Sequence, residues 1–464
     1  MIDLASLSWL HRADILLVFA ALALLVLAKH IERSPLITSL IGLAGASAAI
    51  VFGWQDEGIP RFALVGTGVI MAIALLLLHK AELFDPKQRP ESAALILIGG
   101  IGAIVLAAST SLLELALGVE MISLAGATLI AFGRGQRPLE AGFKYFLLTA
   151  ITFATLLFGM ALVFVGTGSL AMPTVTSAVM GMDLLVAVGT GLIVVGLAFK
   201  LAIVPVHFGA LDAYTAGPAG FVAFVMMASK LGAAVALAKL ATSMGAGISS
   251  LLLGAGLVTI GFGVLASFAQ TDLRRLLAYS AVAHAGFLAV AAGSPLGGPQ
   301  AVRFYLVCYG AAATLALVAL AGTGTDGFSL TRLAPNASRK GLGRIRSMAL
   351  LVALLSLAGV PPFPGFWAKL VVLQATWDSW GMLATALTAL GGVVGIIYYL
   401  KPMPDLLASS MTAAPMSTAP LSTADALNDA LEGPDNSSAA VAIGLMVLVV
   451  VLGLAPGLAW FFVA

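Results

Sequence analysis

Gly196-Leu-Ala-Phe-Lys-Leu-Ala-Ile-Val-Pro-Val-His207 places a lysine, a proline and a histidine inside an apolar run long enough to enter a membrane. A lysine at bilayer depth costs about 3 kcal/mol or more, so Lys200 is a candidate functional residue by default. Pro205 has no N–H to give and clashes one turn back, so it breaks the helix that carries the lysine.

The rest of the composition supports a membrane reading. Of 464 residues, 61% are hydrophobic and only 9% charged, with a mean hydropathy of +1.08; soluble domains carry about 25% charged residues. The one cysteine, Cys308, lies in an apolar segment, which leaves no internal disulfide, Cys-ligated cluster or zinc site. Neither a GxxxxGK[ST] phosphate loop nor a GxGxxG following a strand occurs, which argues against nucleotide chemistry in this chain. A net charge of +2 carries no information about partners, and no nucleic-acid partner is expected. The first apolar run lacks a small-residue cleavage site followed by a soluble domain, so it reads as a first span and not a cleaved signal.

Cutting at charged or Gly/Pro-rich breaks leaves fourteen segments of roughly 17 to 25 apolar residues, the length that spans a hydrocarbon core. They run over residues 14–28, 36–53, 62–78, 93–108, 112–132, 143–165, 184–204, 219–240, 251–268, 276–292, 302–321, 348–376, 382–400 and 439–462. The fold expected is an all-α polytopic membrane protein of about 14 transmembrane helices, with residues 1–464 forming one transmembrane domain. Fifteen of the 23 Lys and Arg residues, from Lys29 to Lys401, fall in loops after odd-numbered segments, and only Arg12, Arg61, Lys239 and Arg303 fall opposite. Cytoplasmic loops carry the basic excess, so both termini are expected on the far, periplasmic side. Residues 401–438, rich in Ser, Thr, Ala and Pro, read as a cytoplasmic linker, with Asp425, Asp429 and Glu432 spaced along one face of a short helix.

Segment seven carries a proline break beside Lys200, and segment twelve carries another, Pro361-Pro-Phe-Pro-Gly365, beside Lys369. A shift of five spans reverses orientation. The pattern therefore suggests two inverted five-helix repeats, 93–240 and 251–400, with discontinuous helices 7 and 12 facing each other near the midplane.

Four basic residues stay outside the loops: Lys144, Lys200, Lys230 and Lys369. Lys230 stands about twelve residues into its span, roughly 18 Å deep at 1.5 Å per residue. Glu120, within Leu115-Ala-Leu-Gly-Val-Glu-Met-Ile-Ser-Leu124, is the natural counter-ion for a buried lysine, whose charge is set by the balance of desolvation and a nearby carboxylate. His207, beyond the Pro205 break, and the equally deep His284 could relay protons, since imidazole titrates near neutral pH. Lys144 follows Arg134 and Arg137 closely enough to reach the cytoplasmic surface. Glu114, six residues before Glu120, lies off its face and toward the end of the span.

Several stretches resemble one known family. Leu117-Gly-Val-Glu-Met-Ile-Ser-Leu124, Glu140-Ala-Gly-Phe-Lys-Tyr-Phe146, Ala198-Phe-Lys-Leu-Ala-Ile-Val-Pro-Val-His-Phe208, Arg275-Leu-Leu-Ala-Tyr-Ser-Ala-Val-Ala-His-Ala-Gly286 and Leu355-Ser-Leu-Ala-Gly-Val-Pro-Pro-Phe-Pro-Gly-Phe-Trp-Ala-Lys369 are similar to the antiporter-like subunits of respiratory complex I. The Ala-His-Ala-Gly form is most like the N-type chains of bacterial NADH:quinone oxidoreductase. The resemblance implies proton translocation in the bacterial inner membrane, coupled to quinone reduction. It implies Glu120 as the acidic partner, Lys200 as the central lysine, Lys230 as the connecting lysine, Lys369 as the exit-side lysine, His207 between them, and Lys144 as a further lysine. NADH, FMN, iron–sulfur clusters and quinone would belong to partner subunits, with no cofactor in this chain, and the partners would include paralogous antiporter-like chains. A multisubunit cation/proton antiporter or a membrane-bound hydrogenase is the alternative setting. Where the family has Trp-Ala-Pro-Asp after the histidine, this chain has Gly209-Ala-Leu-Asp212, and Glu114 stands where the family has a neutral residue.

Overall fold

The computed structural model describes residues 12–31, 34–54, 60–79, 85–180, 184–321, 344–411 and 436–463. Most of the linker expected at 401–438, including Asp425, Asp429 and Glu432, lies outside them, as do Arg33, Lys80, Arg332, Arg339, Lys340 and the first eleven residues.

Apolar runs bounded by Gly, Pro and charge become helices because a backbone in hydrocarbon must satisfy its own polar groups. In chain order these are α1 (Arg12–Val26), α2 (Pro35–Gly53), α3 (Arg61–Leu76), α4 (Arg89–Ala108), α5 (Leu112–Ala131), α6 (Gln136–Thr167), α7 (Leu184–Leu201), α8 (Phe208–Ala216) and α9 (Ala219–Met244). They continue as α10 (Ala246–Phe268), α11 (Leu273–Ala292), α12 (Gly298–Ala319), α13 (Arg344–Ala358), α14 (Pro364–Leu400), α15 (Met403–Met411), α16 (Asn436–Leu454) and α17 (Pro456–Val463). Among the described residues, ten helices are long and apolar enough to cross a membrane, and four shorter ones are comparably apolar. The chain is an all-helical polytopic membrane protein.

Two differences from the sequence expectation bear on the site. The segment expected to run to Val204 stops at Leu201. The segments expected at 348–376 and 382–400 are divided as expected but without a loop: the helical run Pro364–Leu400, α14, is two helices that meet at a kink at the single non-helical residue Gly381, φ 72° and ψ −164°. A positive φ there costs a glycine nothing.

α9 is the centre. Its most apolar stretch is buried on every side, as expected of a helix that is apolar all round, and it packs against α3, α4, α5, α7, α10, α11 and α12. α6 lies outside, with Phe143, Ile151, Phe158 and Val165 exposed toward the lipid. Adjacent helices approach backbone to backbone at glycine pairs. A Cβ on Gly118 of α5 would meet Gly102 O of α4 at 2.7 Å, one on Gly189 of α7 would meet Gly159 O of α6 at 2.6 Å, and one on Gly286 of α11 would meet Gly256 O of α10 at 2.7 Å. Small residues are favoured where helices gain their association from close van der Waals contact.

Gly191, half a turn from Gly189 on α7, has nothing within 4 Å of its would-be Cβ. Gly189→Leu is expected to destabilise the chain by about 2 kcal/mol through overpacking, read as a lowered Tm of the complex in nanodiscs. Gly191→Leu is expected to leave Tm unchanged; equal effects would show that the α6–α7 approach is not the constraint.

Candidate functional site

A helix that ends leaves its last carbonyls without intrahelical partners. α7 and α13 both end inside the helical bundle, and they end in the same way. After α7, Ala202 takes φ 67°, its N–H donates to Phe199 O at 3.0 Å, and Ile203 N–H donates to Ala198 O at 2.9 Å. After α13, Gly359 takes φ 82°, its N–H donates to Ser356 O at 2.9 Å, and Val360 N–H donates to Leu355 O at 3.1 Å. Each is a Schellman closure with a left-handed residue, and each is followed at the same spacing by a cis X–Pro bond, Val204–Pro205 and Pro361–Pro362.

In both breaks the carbonyl of the last helical residue accepts from a lysine. Lys230 Nζ, fully buried on α9 at 0% exposure, donates to Leu201 O at 3.0 Å and to Ala281 O of α11 at 3.0 Å. Lys369 Nζ, on the first turns of α14, donates to Ala358 O at 2.6 Å and lies 5.8 Å from the centre of the Phe287 ring. The Lys369 stem crosses Gly359 so closely that a Cβ there would meet its Cδ at 3.0 Å. The carbonyl end of a helix carries partial negative charge, so each ammonium is held by dipoles and not by a carboxylate.

Lys200 is different. It sits on the last turn of α7, 4% exposed, and its Nζ has no hydrogen-bond partner; the Tyr145 ring centre is 5.3 Å away. Glu120 on α5 presents a buried Oε2 that is likewise without a partner. The two charges act on each other through space, but no N–O contact within 4.0 Å joins them. The counter-ion expected from the sequence therefore faces Lys200 without touching it.

His207 lies buried at the far side of the first break, between the rings of Phe208 and Phe262 at 4.3 and 4.6 Å. Its Nδ1 is 3.2 Å from Pro205 O and its Nε2 has no partner. His284 on α11 is held at both nitrogens, Nδ1 by Tyr305 Oη at 2.6 Å and Nε2 by Tyr399 Oη at 3.0 Å, and it stacks on Tyr309 at 4.5 Å. One face of α11 thus serves both lysines: Ala281 O takes Lys230, Phe287 faces Lys369, and His284 stands between them.

Lys144 is not part of this interior group. Its side chain is 49% exposed and pairs with Glu140 at 2.6 Å and Asp212 at 3.6 Å on the outer side of α6 and α8. Sequence reasoning missed Glu140 as a partner, although its i,i+4 spacing to Lys144 signals the pair. It also missed Ser280, Tyr305 and Tyr399, whose one cue is a hydroxyl inside an apolar run. Lys239 and Arg274, assigned to loops, lie on helices. Lys239 on α9 donates to Ala107 O at 2.6 Å, closing the end of α4, and Arg274 on the first turn of α11 is buried and donates to Gly217 O at 3.2 Å, closing the end of α8. Glu114 accepts from Thr110 N–H at 2.7 Å while Ser111 Oγ accepts from Glu114 N–H at 3.3 Å. This reciprocal cap starts α5 and accounts for the acid.

Comparison with known proteins follows the same line. Residues 108–395 match the family model described as NADH:quinone oxidoreductase/Mrp antiporter, transmembrane. NADH-quinone oxidoreductase subunit 14 of Thermus thermophilus is 35% identical over 90% of this chain and 91% of its own length. NADH-quinone oxidoreductase subunit N of Cereibacter sphaeroides is 35% identical over 81% and 82%. A chain of respiratory complex I from Thermus thermophilus with bound aureothin superposes with a TM-score of 0.76 at 29% identity, covering 96% of this chain and 98% of that one. The Mrp complex of Dietzia shares the fold, with a TM-score of 0.78 at 20% identity. With its broken helices, its buried lysines and these relatives, the chain belongs to the NADH:quinone oxidoreductase/Mrp antiporter transmembrane family.

Proposed function

We propose that this chain is the proton-translocating membrane subunit of a bacterial NADH:quinone oxidoreductase, the N-type antiporter-like chain of complex I. It would sit in the inner membrane beside paralogous antiporter-like chains, with both termini periplasmic. The redox groups, namely NADH, FMN, iron–sulfur clusters and quinone, belong to partner subunits. The observation that carries the reading is Lys200, buried beside a helix break with no protein hydrogen-bond partner and within electrostatic reach of Glu120, one carboxylate oxygen of which is buried.

A lysine in a low-dielectric interior keeps its proton only while negative charge is near. Glu120, acting through space, sets that condition for Lys200. When its charge is withdrawn or engaged elsewhere, the proton moves on through Lys230 and His284 toward Lys369. No protein hydrogen bond holds Lys200 in one charge state, which suits it to switching. Lys230 and Lys369 are held at helix ends whose dipoles favour the charged form, which suits them to receiving a proton. His207 bounds the path at the first break. The matched closures at Ala202 and Gly359 support reading 93–240 and 251–400 as inverted repeats, with the two breaks facing a shared axis. Lys144, in its outer triad with Glu140 and Asp212, serves the periphery of the path.

In the complex reconstituted into liposomes, Lys200→Ala and Glu120→Ala are each expected to abolish the pumping this chain contributes to quinone reduction, with the chain still assembled. A near-normal proton-to-electron ratio in an assembled mutant would sink the reading. The family also includes Mrp antiporters, so the ion is open to a separate measurement. Replacing Na+ by K+ is expected to leave the proton-to-electron ratio unchanged; sodium-dependent exchange by a complex lacking flavin and iron–sulfur subunits would assign the chain to an antiporter instead.

A further inference from the structure

His284 is one link in a longer run of hydroxyl groups. Tyr399 Oη, besides meeting His284 Nε2 at 3.0 Å, donates to Ser280 Oγ at 2.8 Å, while Tyr305 Oη meets Nδ1 at 2.6 Å. Ser280, His284, Tyr305 and Tyr399 are all buried. Ser280 and His284 lie one turn apart on the same face of α11. The two ends of the run lead to different places. Tyr305 lines a cavity of about 10 Å³ together with Ser356, Gly365 and Ala368, the residue next to Lys369. Ser280 adjoins Ala281, whose carbonyl holds Lys230, and lines a cavity of about 20 Å³ together with Tyr214, Tyr309 and Arg274.

That cavity is large enough for a water, which needs about 10–15 Å³ and two or more polar partners. The partners are present. Arg274 is buried at 3% exposure; Nη1 donates to Gly217 O, and Nε and Nη2 have no partner. Leaving such donors dry costs about 1–3 kcal/mol or more each.

We propose that Tyr305, Tyr399 and Ser280 act with His284 as a reversible proton relay between the surroundings of Lys369 and a water held by Arg274 in the cavity beside Ser280. The proposal rests on the chain being a proton translocator. Its proton count closes. A neutral imidazole has one N–H and one lone pair, so with Tyr399 donating to Ser280, Nε2–H donates to Tyr399 and Nδ1 accepts from the Tyr305 hydroxyl. A proton arriving on Tyr305 Oη sends that hydroxyl's own proton to Nδ1. Nε2–H then passes to Tyr399 Oη, the Tyr399 proton to Ser280 Oγ, and the Ser280 proton to the water. Within the four residues four O–H or N–H bonds break and four form, the donor that feeds Tyr305 loses one bond and the water gains one, and one proton leaves at the far end for each that enters. The imidazole is left as the other tautomer, and the run then conducts in the opposite sense until it is reset.

Tyr399→Phe and Ser280→Ala, which keep ring and helix while removing one hydroxyl each, are the test, in the whole complex in liposomes. Both are expected to lower the proton-to-electron ratio with quinone reduction and incorporation intact. Nitrogen-15 NMR of the histidines is expected to find His284 in two exchanging tautomers in the native chain and in one in Tyr399→Phe. A wild-type ratio and unchanged imidazole signals in Tyr399→Phe would overturn the relay. So would a single frozen tautomer with normal pumping, the mark of hydroxyls that only brace the ring. A water-resolving map of the complex is expected to place a water on Arg274 Nε or Nη2, and a dry cavity overturns the inlet. Lys230→Ala separates this from the wider reading: if it stops pumping while Tyr399→Phe does not, only the relay fails; if the complex pumps normally in Lys230→Ala, the function assigned to the chain fails.

Discussion

A cation set against the carbonyl end of a helix is the interaction on which the interior of this protein depends. Hydrocarbon offers no water to a helix that stops within it, and each orphaned backbone group there costs several kcal/mol. A charged lysine at the same depth costs about 3 kcal/mol. Brought together, the two offset each other: Lys230 on Leu201 O and Lys369 on Ala358 O satisfy both the broken helix and the buried charge. The same solution recurs toward the helix-bundle ends, with Lys239 on Ala107 O, Arg274 on Gly217 O, Arg89 on Leu78 O at 3.1 Å, and Lys401 on Phe268 O.

Against this pattern Lys200 stands apart. It has the depth of Lys230 and lies on the broken helix itself, yet no carbonyl receives it. The Schellman bonds of Ala202 and Ile203 have already taken the carbonyls of Phe199 and Ala198, and Lys230 has taken that of Leu201. The break therefore produces one cation locked to a dipole and one left without such an anchor. A locked charge supports structure, whereas an unanchored one facing a carboxylate can respond to it. α11 then ties the parts together, because Ala281, His284 and Phe287 recur at helical spacing and each meets a different member of the path.

Much of this was legible in the chain. Hydropathy located the helices, and the two proline sites, Pro205 and Pro361 to Pro364, located the breaks, because both effects are local: a span needs a run of apolar residues, and a proline disrupts its own turn wherever it stands. The position of Lys230 deep within its span was readable by counting residues. The motifs around Glu120, Lys200, His284 and Pro361 pointed to the family to which the chain proves to belong. Less legible were boundaries where a glycine replaced a loop, as at Gly381, and basic residues near span ends. Lys239 and Arg274 looked like loop charges because only three-dimensional neighbours distinguish a lysine in water from one capping the next helix.

The sequence by itself determined the class, the apolar segments, the breaks and the placing of Lys200 and Lys230 inside the bundle. The tertiary structure decided which partner each charge has. It kept Glu120 off Lys200, moved Lys144 outward to Glu140 and Asp212, and built a hydroxyl cage around His284 from α11, α12 and α14. The reason is that the acceptors chosen by the buried lysines are backbone carbonyls, which every residue carries alike. A lysine on a four-carbon stem can reach any of several, and only the packing of the helices determines which of them is within hydrogen-bond range.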